Sequence, residues 1–313
     1  SINQSKAVTF TMDPNSEAQA EDKTINALMA RQAAHQLSSY VDQALLQAGV
    51  SGAGTTYAAG TFVASDIYAK ITTVMSLLDR NNATDGSVYF VMDPERIALL
   101  AQNEVANGWN VADTALKNGF VGNSQAGFKI FKSNNLPTSV ALTVTTIPTA
   151  AETITVAGVT WTLVADGTAA AAGEINVGAN VADFRAIFVT AINGTTPPTA
   201  ADYIDVSVKN RRKYQNAQVS AATFAGSSCT ITAKGKQGNS ETLSVAADVF
   251  GTETGSLLAG SFSATSLGMQ IMPSMVVAQE AKRPEKNYML HTLYGTKVFT
   301  NDADRLVNVT LNI

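Results

Sequence analysis

The chain has 313 residues, of which 45% are hydrophobic and only 15% charged, and its 21 Lys and Arg against 25 Asp and Glu leave a net charge of −4. That balance excludes a protein that grips nucleic acid through clustered cations and counterion release. A chain this poor in charge either has a Ser/Thr/Asn-rich surface or buries much of its surface against other subunits, and both suit a member of an assembly. The single cysteine, Cys229, excludes a disulfide within the chain and reads as a small buried hydrophobe in the strand-like "SSCTITA". No membrane span is expected: residues 254–279 carry no charge, but Gly, Ser, Thr and Pro interrupt the apolar runs. No signal-peptide pattern opens the chain, and the first residue is not Met, so upstream residues are expected to have been removed or to be missing.

Residues 7–12, "AVTFTM", place Val8, Phe10 and Met12 on one face and predict a strand end. Asp13-Pro14-Asn15 is a turn, and Ser16 with Gln19 forms a capping-box start for a long helix. Its apolar stripe runs through Ile25, Leu28, Met29, Leu37, Tyr40, Val41, Ala44 and Leu45. Gly49 is the expected C-cap, which makes the helix roughly 48 Å long. Residues 49–60 read as a flexible loop. A second helix is predicted over 65–80, with Ile67, Ile71, Val74, Leu77 and Leu78 on its apolar side. "SVYFVM" (87–92) is a buried strand, after which Asp93 caps a short helix with Pro94 in its first turn and Ile97, Leu99 and Leu100 facing inward. A polar loop surrounds Gly108-Trp109. "GFVGNSQAGFKIFKSNNLP" (119–137) follows, and its strand stops at the turn-forming asparagines and Pro137.

Residues 138–265 differ from both flanks. Thr/Ala/Val-rich strands alternate with turns: "LTVTTI", "ETITVAGVTWTLVA" around Gly158, and "AGEINVG". A helix is predicted over 180–193. Another is expected after Pro197-Pro198, capped by Thr199 with Asp202 at its third position, and "CTITAKG" and "ETLSVAA" are late strands. About 125 residues of mixed α+β pattern suffice for a separate domain. The junctions are expected near Pro137 and in "GSFSATSLG" (260–268). From 266 on, bulky strand residues resume, and the final ten residues alternate through Leu306, Val309 and Leu311.

Motifs that carry chemistry were sought along the whole chain. His35 and His291 have no Cys, Asp or Glu at metal-ligand spacing. "GNSQAG" (122–127) has one residue too many for a nucleophile elbow. "GAGTTY" (52–57) lacks the third glycine of a dinucleotide loop, and "GKQGNS" (235–240) misses P-loop spacing. Asp183, Asp202 and Asp205 have no calcium-loop spacing and read as solvated helix faces. The run Arg211-Arg212-Lys213 also reads as a solvated face. No catalytic, cofactor-binding or metal-binding residue is therefore assigned, and the chain is not expected to be an enzyme.

The order of elements then carries a resemblance. A strand, a very long helix, an amphipathic helix, "VYFVMDPERIALL", "GFVGNSQAGFKIFKSNNLP", a large insertion and "HTLYGTKVF" together resemble the major capsid protein of tailed bacteriophages with the HK97 fold. The resemblance implies an α+β core made of 1–137 and 266–313. In it the long helix is the spine of a peripheral domain, residues 88–100 belong to an axial domain, and residues 7–12 are the end of an extended loop. Residues 138–265 resemble the Ig-like or mixed α+β insertions of some phage coats. Function follows as an expectation: a self-assembling subunit of an icosahedral shell that encloses double-stranded DNA in the virion, assembled in the host cytoplasm. The expected partners are further copies in hexamers and pentamers, portal, scaffold or decoration proteins, and packaged DNA held by weak non-specific contact. No membrane and no cofactor is implied. The alternatives are a tail-tube or baseplate subunit, against which the long helix speaks, and a surface carbohydrate-binding protein using Trp161. The alternation of Trp161 with Val159 and Leu163 points that ring into the core instead.

Overall fold

The computed structural model describes residues 2–12, 25–83, 87–106, 120–125, 127–196, 199, 202–234, 242–243, 248–279 and 286–313. The turn at 13–15, the capping box at Ser16 and Gln19, the Gly108-Trp109 loop, Pro197-Pro198 and "GKQGNS" lie outside these residues.

Three bodies of structure follow from the apolar pattern. The first begins with β1 (Gln4–Met12) and α1 (Ile25–Gly52). At 28 residues the described part of α1 is roughly 42 Å long. β1 pairs along its whole length with β17 (Lys286–Val298), which also pairs with β16 (Thr265–Gln279), so that the sheet order is β1-β17-β16. α1 lies across this sheet with Leu37 and Ala33 against Leu290, Val8 and Phe10. The strand expected to end an extended loop is thus an edge of a three-stranded sheet.

The second body is a core around β3 (Val88–Met92), whose five residues are all buried. β3 runs parallel to β5 (Phe128–Lys132) and antiparallel to β15 (Thr254–Ser261). β4 (Phe120–Gln125) flanks β5 in antiparallel pairing. α2 (Ile67–Arg80) buries Ile67, Ile71, Val74 and Leu78, as its spacing requires. α3 (Pro94–Ala106) starts at Asp93, whose carboxylate accepts from the Arg96 amide (3.1 Å) and holds the Arg96 guanidinium (2.8 Å) in a buried pair. Two expectations fail here. Gly49 is not a cap: α1 continues to Gly52, and a Cβ on Gly49 would lie 2.5 Å from the buried Leu258 side chain, so this glycine serves close helix–strand approach. Residues 55–60 are not a loop but β2 (Thr55–Gly60), paired in parallel with the C-terminal strand β18 (Leu306–Asn312). The alternation in β18 runs through Val307, Val309 and Leu311, with Leu306 buried in addition.

The third body is built from β6 (Thr138–Val144), β7 (Thr153–Val156), β8 (Val159–Val164), β9 (Glu174–Asn176), α4 (Val181–Asn193), β10 (Tyr203–Ile204), α5 (Val208–Ala217), β11 (Ser220–Ala221), β12 (Ser228–Ala233), β13 (Thr242–Leu243) and β14 (Asp248–Phe250). It has its own core around Trp161, Phe184 and Phe188. β7 and β8 join through Ala157 (φ 48°) and Gly158 (φ 70°), the two left-handed positions of a type I′ hairpin turn. α4 is capped by the Asn180 side chain and ends at left-handed Gly194, within a residue of prediction. The helix expected at Thr199 starts instead at Ser207. Thr199 and Asp202 do bond to each other, but they close a turn, because Tyr203 and Ile204 are drawn into a strand beside β9.

The end of the middle segment differs from the expected junction. β15 falls within 138–265, yet it pairs with β3 and β18, and Leu257, Leu258 and Ala259 sit in the core of the second body. Its Gly and Ser residues looked flexible in the sequence. In the structure a Cβ on Gly255 would lie 2.7 Å from Ile313, and one on Gly260 would lie 2.6 Å from the Arg305 carbonyl. These glycines permit tight packing, so "GSFSATSLG" is the end of one strand and the start of the next.

Candidate assembly surface

No constellation of reactive side chains forms among the described residues, and none of them form a group of three or more His, Cys, Asp or Glu able to hold a metal. His35 is exposed on α1, and His291 lies on the outer face of β17 opposite Ala7 and Ser274. Asp183 bonds the Asn180 amide at the start of α4 (2.6 Å), Asp202 bonds Thr199, and Asp205 pairs with Arg211, so the three aspartates serve three separate local structures. "GAGTTY" spans the end of α1 and the start of β2, and Asn123 to Gln125 of "GNSQAG" are strand, with Ala126 outside the described residues.

The run Arg211-Arg212-Lys213 is not one solvated face. Arg211 turns inward, donates to the Ile192 and Ala191 carbonyls at the end of α4 (2.9 Å each) and lies over the rings of Trp161 (5.7 Å) and Tyr214 (5.4 Å). Trp161 is fully buried and donates its indole N–H to the Tyr214 hydroxyl (3.0 Å). It therefore offers no face to a sugar, and the carbohydrate-binding alternative loses its residue. Cys229 is buried as read, its thiol donating to the Ala222 carbonyl.

The surface that stands out is β16. On the face of the three-stranded sheet turned to α1, the rows are Val8–Leu290–Met275 and Phe10–Tyr288–Val277. Tyr288 stacks on Phe10 (4.9 Å between centroids, 6° between planes). α1 covers the middle strand, leaving Leu290 6% and Tyr288 9% exposed, but Met275 is 51% and Val277 50% exposed at the end of the same rows. On the opposite face Val276 and its neighbour Met289 are exposed as well. Among the described residues β16 has no strand on its outer side. Over 274–278 it thus presents both faces and its outer edge, with no charged residue from Thr254 to Gln279. The register slips on either side of Ile271, whose carbonyl accepts from the Thr292 hydroxyl (2.9 Å). Such irregularities accommodate Pro273, which has no amide for a ladder. A long apolar edge is a template for association unless another molecule covers it.

A second feature was invisible in the sequence. Gln43 of α1 is buried, donates to the Asn216 carbonyl of α5 (3.0 Å) and accepts from the Gln218 amide (2.8 Å). Gln36 donates to the Asn216 side-chain oxygen (2.8 Å), and Ser39 to Asn135 (3.1 Å). The bonds of Gln36 and Gln43 fasten the third body to the long helix, while Ser39 ties that helix to Asn135, which precedes the third body. Only a Gln on the apolar stripe side of the helix hinted at it.

No protein-family model matches the sequence, and no curated protein does. Solved structures do match. A structure of Mycobacterium phage Che8 aligns with a TM-score of 0.50 at 14% identity, over 98% of this chain and 71% of that one. The capsid structure of the cyanophage P-SCSP1u aligns with a TM-score of 0.50 at 13% identity, over 98% of this chain and 72% of that one. The likeness spans the chain and is one of fold: a mixed α+β chain with the HK97-like fold of phage capsids.

Proposed function

We propose that this chain is a structural subunit of an icosahedral phage capsid, which assembles with copies of itself in hexamers and pentamers into the shell around double-stranded DNA. The observation that carries the reading is the HK97-like fold over nearly the whole chain, and the uncovered strand β16 gives it a physical basis. A shell is held by many repeated contacts, and a strand without charges loses little by desolvation when a neighbour covers it. No catalytic role, metal or cofactor belongs to this reading. Its place is the virion, with assembly in the host cytoplasm, and portal, scaffold or decoration proteins are its further partners.

Within this reading the host fold consists of 1–137 and of a returning part that begins with β15 near residue 254, and residues 138–253 are an inserted domain. The separate core around Trp161 and the return of β15 to β3 support that division. Negative-stain microscopy and light scattering of the freshly purified full-length chain test the function. Closed shells or ring-shaped capsomers are expected; a monomer at every ionic strength and concentration would overturn it.

A further inference from the structure

Between β1, α1 and α5 runs a groove of about 690 Å³. Residues 7–11 of β1 all touch it. Successive side chains of a strand point to opposite faces, so a groove that meets five in a row must follow the backbone edge. Among the described residues that edge of β1 has no partner strand, since β1 pairs with β17 alone. The five residues span about 17 Å. Across from the edge stand Arg212, Gln215 and Asn216 of α5, and the α1 side is made by Met29, Ala33 and the amides of Gln32 and Gln36.

The chemistry of the walls specifies an occupant. Met29, Ala33, Val8 and Phe10 give apolar contacts to side chains pointing toward α1, while the amides can satisfy a polar backbone or rim. Among the described residues none that lines the groove is acidic. Arg212 is exposed on one wall, Lys6 lies over the ring of the lining Tyr40 (5.5 Å), and Lys234 stands close enough to Lys6 to feel its charge. A strand added to β1 lies about 4.8 Å from it, and α5 walls the far side. The space therefore takes one extended segment and not the edge of a second folded sheet. Among the described residues the long strands of this chain are already paired on at least one side, so a copy would bring a sheet with it.

We propose that this groove docks a single extended peptide segment of another protein, apolar at alternate positions and acidic, which joins β1 as a fourth strand. Main-chain bonds to β1 supply affinity, and alternate side chains supply selectivity. The proposal does not depend on shell formation.

The test uses the full-length chain and a fluorescein-labelled peptide alternating valine with threonine and ending in two aspartates. Fluorescence anisotropy should show saturable binding, weakened about tenfold by Arg212→Glu, as loss of a charge-assisted contact implies. Arg212 is exposed, so circular dichroism of that variant should match the parent. Methylating one alternate set of peptide amides should abolish binding, while methylating the other set should not, because only one set faces β1. No saturable binding would overturn the proposal, and so would binding that ignores both the charge reversal and the methylation pattern. Sedimentation of the chain alone is the last arm: self-association lost in Arg212→Glu, with no peptide binding, would assign the groove to a second copy and overturn it too.

Discussion

At Gly52 a Cβ would lie 2.7 Å from the Cβ of Val298, an atom fixed to its own backbone and unable to swing away. Helix propensity alone favours alanine over glycine by about 1 kcal/mol. Overpacking costs about 1–3 kcal/mol and should win, so Gly52→Ala is expected to lower the thermal stability of the unassembled subunit; a stabilised variant would refute the packing argument. Cys229 carries a second residue-scale prediction. Burial, the largest effect, pushes its thiol up from 9.0 to about 11. The folded state then holds the proton more tightly than the unfolded state. This contribution is fully present below pH 9 and is lost as the pH rises to about 11. Urea titrations across that window should show a fall in stability that Cys229→Ala lacks, and equal falls in both proteins would contradict the assignment. These two residues were read unequally in the sequence. A lone cysteine in an alternating strand is legible as core, whereas the need for glycine at Gly52 depends on a strand nearly 250 positions away.

Elements show where local pattern suffices. α2, β3, α3 and α4 follow prediction because each carries a strong local pattern: a helical apolar period in α2, a continuous apolar run in β3, and in α3 and α4 a start signal as well, Asp93 before Pro94 and Asn180 before Val181. β2 and β15 do not, since their Gly/Ser/Thr residues acquire strand geometry only from their partners. The join between α1 and α5 is of the same kind. Gln43→Ala removes a buried donor and acceptor, leaving the Asn216 carbonyl and the Gln218 amide short of a partner, at an expected cost of about 1–3 kcal/mol. Amide exchange should quicken in α5 more than in α2; uniform or unchanged exchange would show that these bonds do not hold the third body in place. For β16, Met275→Lys and Val277→Lys put charges on side chains that are already half exposed. Such surface changes cost the isolated subunit little, so its melting curve should stay within ~1 °C of the parent while sedimentation shows assembly lost. Normal assembly of both variants would remove β16 from the contact surface.

For the whole molecule, charge and topology govern different properties. With 21 basic against 25 acidic residues, the subunit should bind DNA weakly and without sequence preference. A gel shift at physiological salt is expected to show no complex at sub-micromolar protein, and a tight complex there would contradict the reading of packaged DNA as loosely held. By itself the sequence determined the low charge, the α+β class, the long helix, the middle segment with its own apolar set, and the inward direction of Trp161. All of these rest on composition or on periodicities a few residues long. Only the tertiary structure decided that β1 is a sheet edge beside a groove, that β15 returns to β3 before the expected junction, that Gly49 and Gly255 are there for close approach, and that β16 is left uncovered. Each of those depends on which distant strand lies alongside, and burial on one side of a sheet leaves no mark in the sequence of the strand that remains open.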